Sequence, residues 1–210
     1  KVKRAFCDWP TVIDVALTQP TDPAEMTPKS VVVSVGDETR VVNEVRPQGG
    51  AATGATAFQV RLDAPLTPAD AARIVKIKMG DLAPAMVYLR DVLTNEGFGD
   101  PDVELGYRYT PARTTFRAWS PVSSKAEVLL YKTAADREPY KTVVMLPSPR
   151  GVWVVDVAGD LNGAYYTYRF QSYGESRIVP DINGYAATKD SKRSLVVNLK
   201  ATDPVGWEKD

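Results

Sequence analysis

Short runs of β-branched and aromatic residues, each closed by glycine, proline, asparagine or aspartate, recur along almost the whole chain. That punctuation is the pattern of a β-sandwich rather than of helices alternating with parallel strands. Side chains alternate along a strand, so in "TVIDVALTQP" (11–20) Ile13, Val15 and Leu17 share one face and form the expected buried set. "SVVVSVGDETRVVNEVRP" (30–47) reads as a hairpin turning at Gly36-Asp37, and "QGGAATGATA" (48–57) reads as a loop. "FQVRL" (58–62) sets Phe58, Val60 and Leu62 against Gln59 and Arg61, which is a half-buried strand. "TPADAA" can open one short helical turn, with Thr67 as cap and Pro68 at the first helical position. "AMVYLRDVL" (85–93) fits helix or strand, and the β-rich surroundings favour strand.

The stretch "TNEGFGDPDVELG" (94–106) is rich in glycine and acids, the composition of a linker. Beyond it "TTFRAWS", "AEVLLY", "KTVVML", "GVWVVDV", "AYYTYRF" and "SLVVNL" follow at sandwich spacing. The expected fold is therefore all-β, two immunoglobulin-like β-sandwich domains in tandem, over 1–100 and 101–210. Alternation in the second places Phe116, Trp153, Tyr166, Tyr168 and Phe170 inward and Tyr165, Thr167 and Arg169 outward.

Composition limits the chemistry. Twenty-six basic residues balance 26 acidic ones, so no global field draws the chain to nucleic acid or an anionic membrane. The chain has no histidine and one cysteine, Cys7, which excludes imidazole catalysis, an internal disulfide and multi-thiol zinc sites. No apolar run reaches the roughly 20 residues needed to span a bilayer. "KVKRAFCDWP" lacks the apolar stretch of a signal peptide, and the absence of a leading methionine points to a trimmed or processed chain. Acidic neighbours such as Asp181 and Glu175 read as solvated turns. No catalytic constellation, metal site or cofactor site is expected.

Four segments of the second half carry a resemblance: "TTFRAWSP" with "AEVLLY", then "GVWVVDVAGDLNGAYYTYRF", then "VPDINGYAATKDSKRSLVVNL". Together they resemble carbohydrate-binding module family 48, which precedes the catalytic barrel of debranching enzymes in glycoside hydrolase family 13. "RDVLTNEGFGDPDVELGYRYT" and "LKATDPVGWEKD" are similar to the approach to that module and the exit from it in type I pullulanases. The resemblance implies a non-catalytic N-terminal part of such an enzyme, with the barrel supplied in cis. Family 13 enzymes use a carboxylate pair about 5 Å apart at the ends of barrel strands. Neither an eightfold strand-helix pattern nor the pullulanase segment "YNWGYDP" occurs here.

The same resemblance implies α-glucan as a ligand and nominates residues for it. Arg169 falls where glycan-binding members have a lysine that contacts sugar. Tyr131 and Tyr173 are the aromatics nearest to two tryptophans of those members, and Lys192 and Arg193 stand where they make polar contacts. Trp119 and Trp207 are expected to pack on the barrel. A free-standing glucan-binding module and a structural sandwich pair without sugar are the competing readings. The family implies an extracellular, cell-surface or periplasmic setting, although cytoplasmic members exist.

Overall fold

In a computed structural model of the chain, residues 1–49, 54–95 and 97–202 are described. Two compact units result: Lys1–Asp100 with Pro121–Ser123, and Pro101–Ser120 with Ser124 onward. The tip of the 48–57 loop and Trp207 lie outside the described residues.

The first unit contains β1 (Val2–Trp9), β2 (Val12–Thr21), β3 (Val31–Val35), β4 (Glu38–Arg40), β5 (Val42–Pro47), β6 (Ala55–Leu62), β7 (Val75–Met79), β8 (Ala85–Met86) and β9 (Tyr88–Leu89). One sheet has the order β5-β6-β2-β1-β9 and the other β4-β3-β7-β8. Alternation accounts for the core: Ile13, Val15 and Leu17 meet Phe58, Val60 and Leu62 on the first sheet. Val31, Val33 and Val35 with Val75, Ile77 and Met79 supply the second, while Lys76 and Lys78 point outward. The expected hairpin over 30–47 is shorter than its sequence suggests. Gly36, at φ 57°, opens the two-residue turn into β4, where a side chain would be strained. The chain then leaves that sheet at Val41, and Val42 pairs with Leu62 in the other. Likewise "AMVYLRDVL" is two short strands rather than one. Met86 pairs with Lys76 on one sheet and Leu89 with Cys7 on the other, with buried Val87 between them. A 3₁₀ turn over Asp91–Thr94 follows.

The short helix α1 (Pro68–Ala71) begins as its sequence indicates. The Thr67 hydroxyl accepts the Asp70 N–H at 3.3 Å, and the Asp70 carboxylate accepts the Thr67 N–H at 2.9 Å. Arg40 closes the arrangement with an ion pair to Asp70 at 2.6 Å. Cys7 is buried beneath the first sheet, and that burial, with Asp8 and Asp14 nearby, pushes its thiol up to about 12. It is inert as a nucleophile at neutral pH.

The second unit contains β10 (Gly106–Thr110), β11 (Arg113–Trp119), β12 (Ser123–Tyr131), β13 (Lys141–Val144), β14 (Leu146–Pro147), β15 (Val152–Ala158), β16 (Tyr165–Ser172), β17 (Glu175–Val179), β18 (Ala186–Ala187) and β19 (Ser194–Leu195). Its sheets run β10-β11-β15-β14 and β13-β12-β16-β19-β18, with β17 also on β16. "KTVVML" therefore divides between the two sheets at buried Met145, where the sequence suggests one strand. "SLVVNL" forms only the two-residue β19 before its backbone turns to other partners: Val197 N–H goes to the Tyr107 hydroxyl at 2.8 Å. The core is an aromatic file. Phe116 and Tyr166 stand 4.9 Å apart between centroids, and Tyr166 and Tyr168 5.8 Å apart, packed with Ala126, Val128, Leu130 and Trp153.

Candidate functional site

The nominated residues fall mainly on the outer face of the β12–β16 pair and the loops at its ends. On β12, Ala126, Val128 and Leu130 enter the core, which turns Lys125, Glu127, Leu129 and Tyr131 to the other side. On β16, core-facing Tyr166, Tyr168 and Phe170 turn Tyr165, Thr167, Arg169 and Gln171 outward. Outward does not mean open here. Leu129, Tyr131 and Thr167 are all buried, and the Tyr131 and Thr167 hydroxyl oxygens lie 3.4 Å apart.

Arg193 is what covers Tyr131. Its guanidinium carbon sits 3.7 Å from the centre of the tyrosine ring, and its nitrogens donate to the carbonyls of Thr133 and Ala134, each at 2.8 Å, and to that of Asp136. Asp136 folds the same loop from below by accepting the N–H groups of Lys132 and Thr133 and the Thr133 hydroxyl, which hold its carboxyl below the ordinary range. Tyr131, only 4% exposed, thus lacks an open face on which a sugar ring could lie, and the nomination of Tyr131 as a platform is corrected. Arg193 is already committed to a stack and three carbonyls, which a sugar hydroxyl would have to displace. Arg193→Ala is expected to destabilise the second unit by about 1–3 kcal/mol, from the lost stack and charge-assisted hydrogen bonds. Arg193→Lys should recover only part of that, since lysine lacks the planar fork. Thermal unfolding of the two variants checks this, and an unchanged midpoint for Arg193→Ala would contradict it.

Arg169 faces a small polar cleft of about 200 Å³ with Lys125, Glu127, Gln171 and Ser176. Its Nε donates to Glu127 at 2.6 Å, and Lys125 Nζ lies 2.9 Å from the other Glu127 oxygen. The Arg169 hydrogen bond, helped by Lys125, holds the Glu127 carboxyl below its usual range despite burial. No aromatic ring is among the cleft's lining residues. Lys192 is exposed and pairs with Asp190 at 2.9 Å. Tyr173 is half-buried in the two-residue β16–β17 turn at φ 54°, next to Gly174 at φ 82°. The first turn position is an unusual place for a tyrosine, whose Cβ is disfavoured at positive φ. Trp119 is 39% exposed at the end of β11, and its indole N–H donates to the Arg150 carbonyl at 3.1 Å. The structure thus brings Tyr131 and Arg193 into contact, sets Arg169 on the same face, and leaves Lys192 and Tyr173 in separate turns.

Asp181 is the main surprise. It is buried, and its Oδ2 accepts the hydroxyls of Tyr166 at 2.8 Å and Tyr168 at 3.0 Å, while Oδ1 accepts the Asn183 N–H at 2.9 Å. Its backbone N–H donates to the Ser194 hydroxyl oxygen at 2.9 Å. Glu175 is solvated beside Arg177, although it opens β17 rather than lying in a turn, whereas Asp181 is buried, against the solvated-turn expectation. The missed signal was the tyrosine pair itself, because two core-facing hydroxyls two residues apart on a strand require an acceptor. Among the described residues no group of three or more histidine, cysteine or acidic side chains is placed to hold a metal ion. Among the described residues no helix is long and apolar enough to cross a membrane.

Against this geometry the comparisons with known proteins are informative. Residues 104–184 match carbohydrate-binding module 48, the isoamylase N-terminal domain. The matched stretch runs from just before β10 through the Asp181 turn. The chain is also similar to curated pullulanases. It is 30% identical over 112 residues to that of Klebsiella aerogenes, covering 49% of this chain and 10% of that protein. To that of Bacillus subtilis it is 31% identical over 109 residues, covering 50% and 14%. The matched stretch is therefore a minor part of those relatives' length. Among solved structures, the pullulanase from Bacillus acidopullulyticus superposes with a TM-score of 0.85 over 100% of this chain and 38% of that one, at 18% identity. The type I pullulanase of Bacillus subtilis, complexed with maltose, gives 0.71 over 92% and 26%, at 23% identity. At these identities the likeness establishes the fold. The apo pullulanase of Paenibacillus barengoltzii is 34% identical over 54% of this chain and 17% of its own, with a TM-score of 0.51.

Proposed function

We propose that this chain is the non-catalytic N-terminal region of a pullulanase-type debranching enzyme. Its two sandwiches support a barrel that hydrolyses α-1,6 links in starch, glycogen or pullulan, and its second unit contacts α-glucan weakly. The observation that carries this reading is the likeness to a pullulanase over 100% of the chain, joined to the module match at 104–184. Trp119 of β11 beside Val152 of β15, and exposed Leu146 of β14 beside Val154 of β15, give one sheet an apolar outer strip suited to packing on the barrel.

The Arg169 face is poorly suited to tight glucan contact. Its cleft of about 200 Å³ is smaller than the roughly 300–1,000 Å³ usual for ligand sites, and its charges are already paired with one another. Isothermal titration with maltoheptaose is expected to give saturable heat with a dissociation constant on the order of 1 mM (about −4 kcal/mol), and cellohexaose none. Equal heats from the two sugars would contradict the reading. Micromolar affinity for maltoheptaose would favour a free-standing glucan-binding module instead.

A further inference from the structure

A second, larger cleft of about 620 Å³ lies on the open side of the second unit, where β10 ends one sheet and β18 ends the other. Unlike the Arg169 cleft, it falls within the size range of ligand sites. Tyr107 forms its floor and is locked in place: its hydroxyl accepts the Val197 N–H at 2.8 Å and donates to the Val197 carbonyl at 3.3 Å. Tyr185 stands edge-on against Tyr107, with centroids 5.4 Å apart and planes at 83°, and is 58% exposed. Tyr109 is fixed from the other side by donating its hydroxyl to Asp160 at 2.7 Å. Asp160 also accepts the Asn162 N–H, and the Asn162 side chain accepts the Asn198 N–H, each at 2.9 Å, so the rim is held by a connected set of hydrogen bonds.

The chemistry of this cleft suits a neutral, two-faced ligand. Tyrosine rings and Leu199 offer apolar surface, while Asn198 and the Arg108–Glu104 pair offer donors and acceptors at the edge. Arg108 is matched by Glu104, which leaves Lys200 as the remaining charge of the lining, and one cation is a weak draw for a polyanion. A pyranose ring has the complementary character: an apolar C–H face and a periphery of hydroxyls. The ring of Tyr185 is already supported by Tyr107, so laying a sugar on it costs little side-chain ordering.

We propose that this tyrosine cleft, rather than the Arg169 face, is the principal α-glucan contact of the chain, with a glucose unit stacked on Tyr185 and its hydroxyls bonded at the Asn198 and Arg108–Glu104 rim. The assignment rests on the α-glucan reading above and adds its location. It is tested by NMR titration of the labelled chain with maltotetraose, with cellotetraose as control, in the wild type, Tyr185→Ala and Arg169→Ala. The expected result is saturable shifts at Tyr107–Pro111, Tyr185 and Val197–Lys200 with maltotetraose alone. Tyr185→Ala should weaken binding about fivefold to tenfold, the effect of losing one aromatic contact, and Arg169→Ala should leave it unchanged. Tyr185 is exposed and its removal leaves the Tyr107–Val197 bonds in place, so the spectrum itself reports that the variant is folded. Shifts that centre on Lys125, Arg169 and Gln171 and survive Tyr185→Ala would overturn the location while sparing the α-glucan reading. An absence of shifts with maltotetraose would overturn both.

Discussion

Asp181→Ala is expected to cost the second unit about 3–5 kcal/mol, because it leaves the Tyr166 and Tyr168 hydroxyls buried without their acceptor. Each stranded donor costs about 1–3 kcal/mol, and the Asn183 N–H loses its partner as well. Against the roughly 5–15 kcal/mol that holds a domain folded, that loss is large. Asp181→Asn keeps one carbonyl acceptor and should lose less. Amide hydrogen exchange resolves the effect by unit: protection should fall across β11, β15 and β16 and stay unchanged in β2 and β6. Unchanged protection in all five strands would show that the carboxylate is not the keystone of the tyrosine file.

The same cluster predicts a steep alkaline limit. Burial, the neighbouring tyrosine and the Asp181 carboxylate raise the Tyr166 hydroxyl far above its ordinary value of 10.0, and burial with Asp181 does the same for Tyr168. Both groups keep their protons in the folded state after the unfolded chain has begun to lose them. Their contribution is therefore fully present below about pH 10 and is lost as pH rises beyond it. Each group contributes a slope of about 1.4 kcal/mol per pH unit, so together they remove about 2.7 kcal/mol for every unit above pH 10. Denaturant midpoints measured between about pH 9 and pH 11 test the slope, and tyrosinate absorbance tests its origin. Part of the signal from the chain's ten tyrosines should appear only as the protein unfolds. Reversible titration of them all near pH 10 in the folded state would contradict the account.

Strand alternation made much of this fold legible in advance. Phe58, Val60 and Leu62, or Val75, Ile77 and Met79, declare their buried face because both periodicity and residue type agree. The Thr67-Pro68 start of α1 was equally readable, being set by neighbours in sequence. What escaped was the exchange of strands between sheets at Val41 and Met145. Met145 falls inside the unbroken apolar run Val143–Leu146, and Val41 sits beside Val42 within a β-branched hairpin pattern, so only the partner strand, distant in sequence, reveals each crossing. The candidate site escaped for a similar reason. Alternation places Tyr131 and Thr167 outside the core, yet the cover over Tyr131 is Arg193, which grips Thr133 from 60 residues away. Similarly, Tyr107 and Tyr185 look unrelated until β10 and the segment before β18 meet at the open side of the sandwich.

The central claim is that these two sandwiches serve a debranching reaction without carrying it out. Incubating the purified 210-residue chain with pullulan and following the release of reducing ends tests it most directly. The account predicts no release above buffer, since the sequence carries neither the eightfold strand-helix pattern nor the segment "YNWGYDP" associated with the retaining barrel. Sustained release that scales with the amount of protein and survives repurification would contradict it.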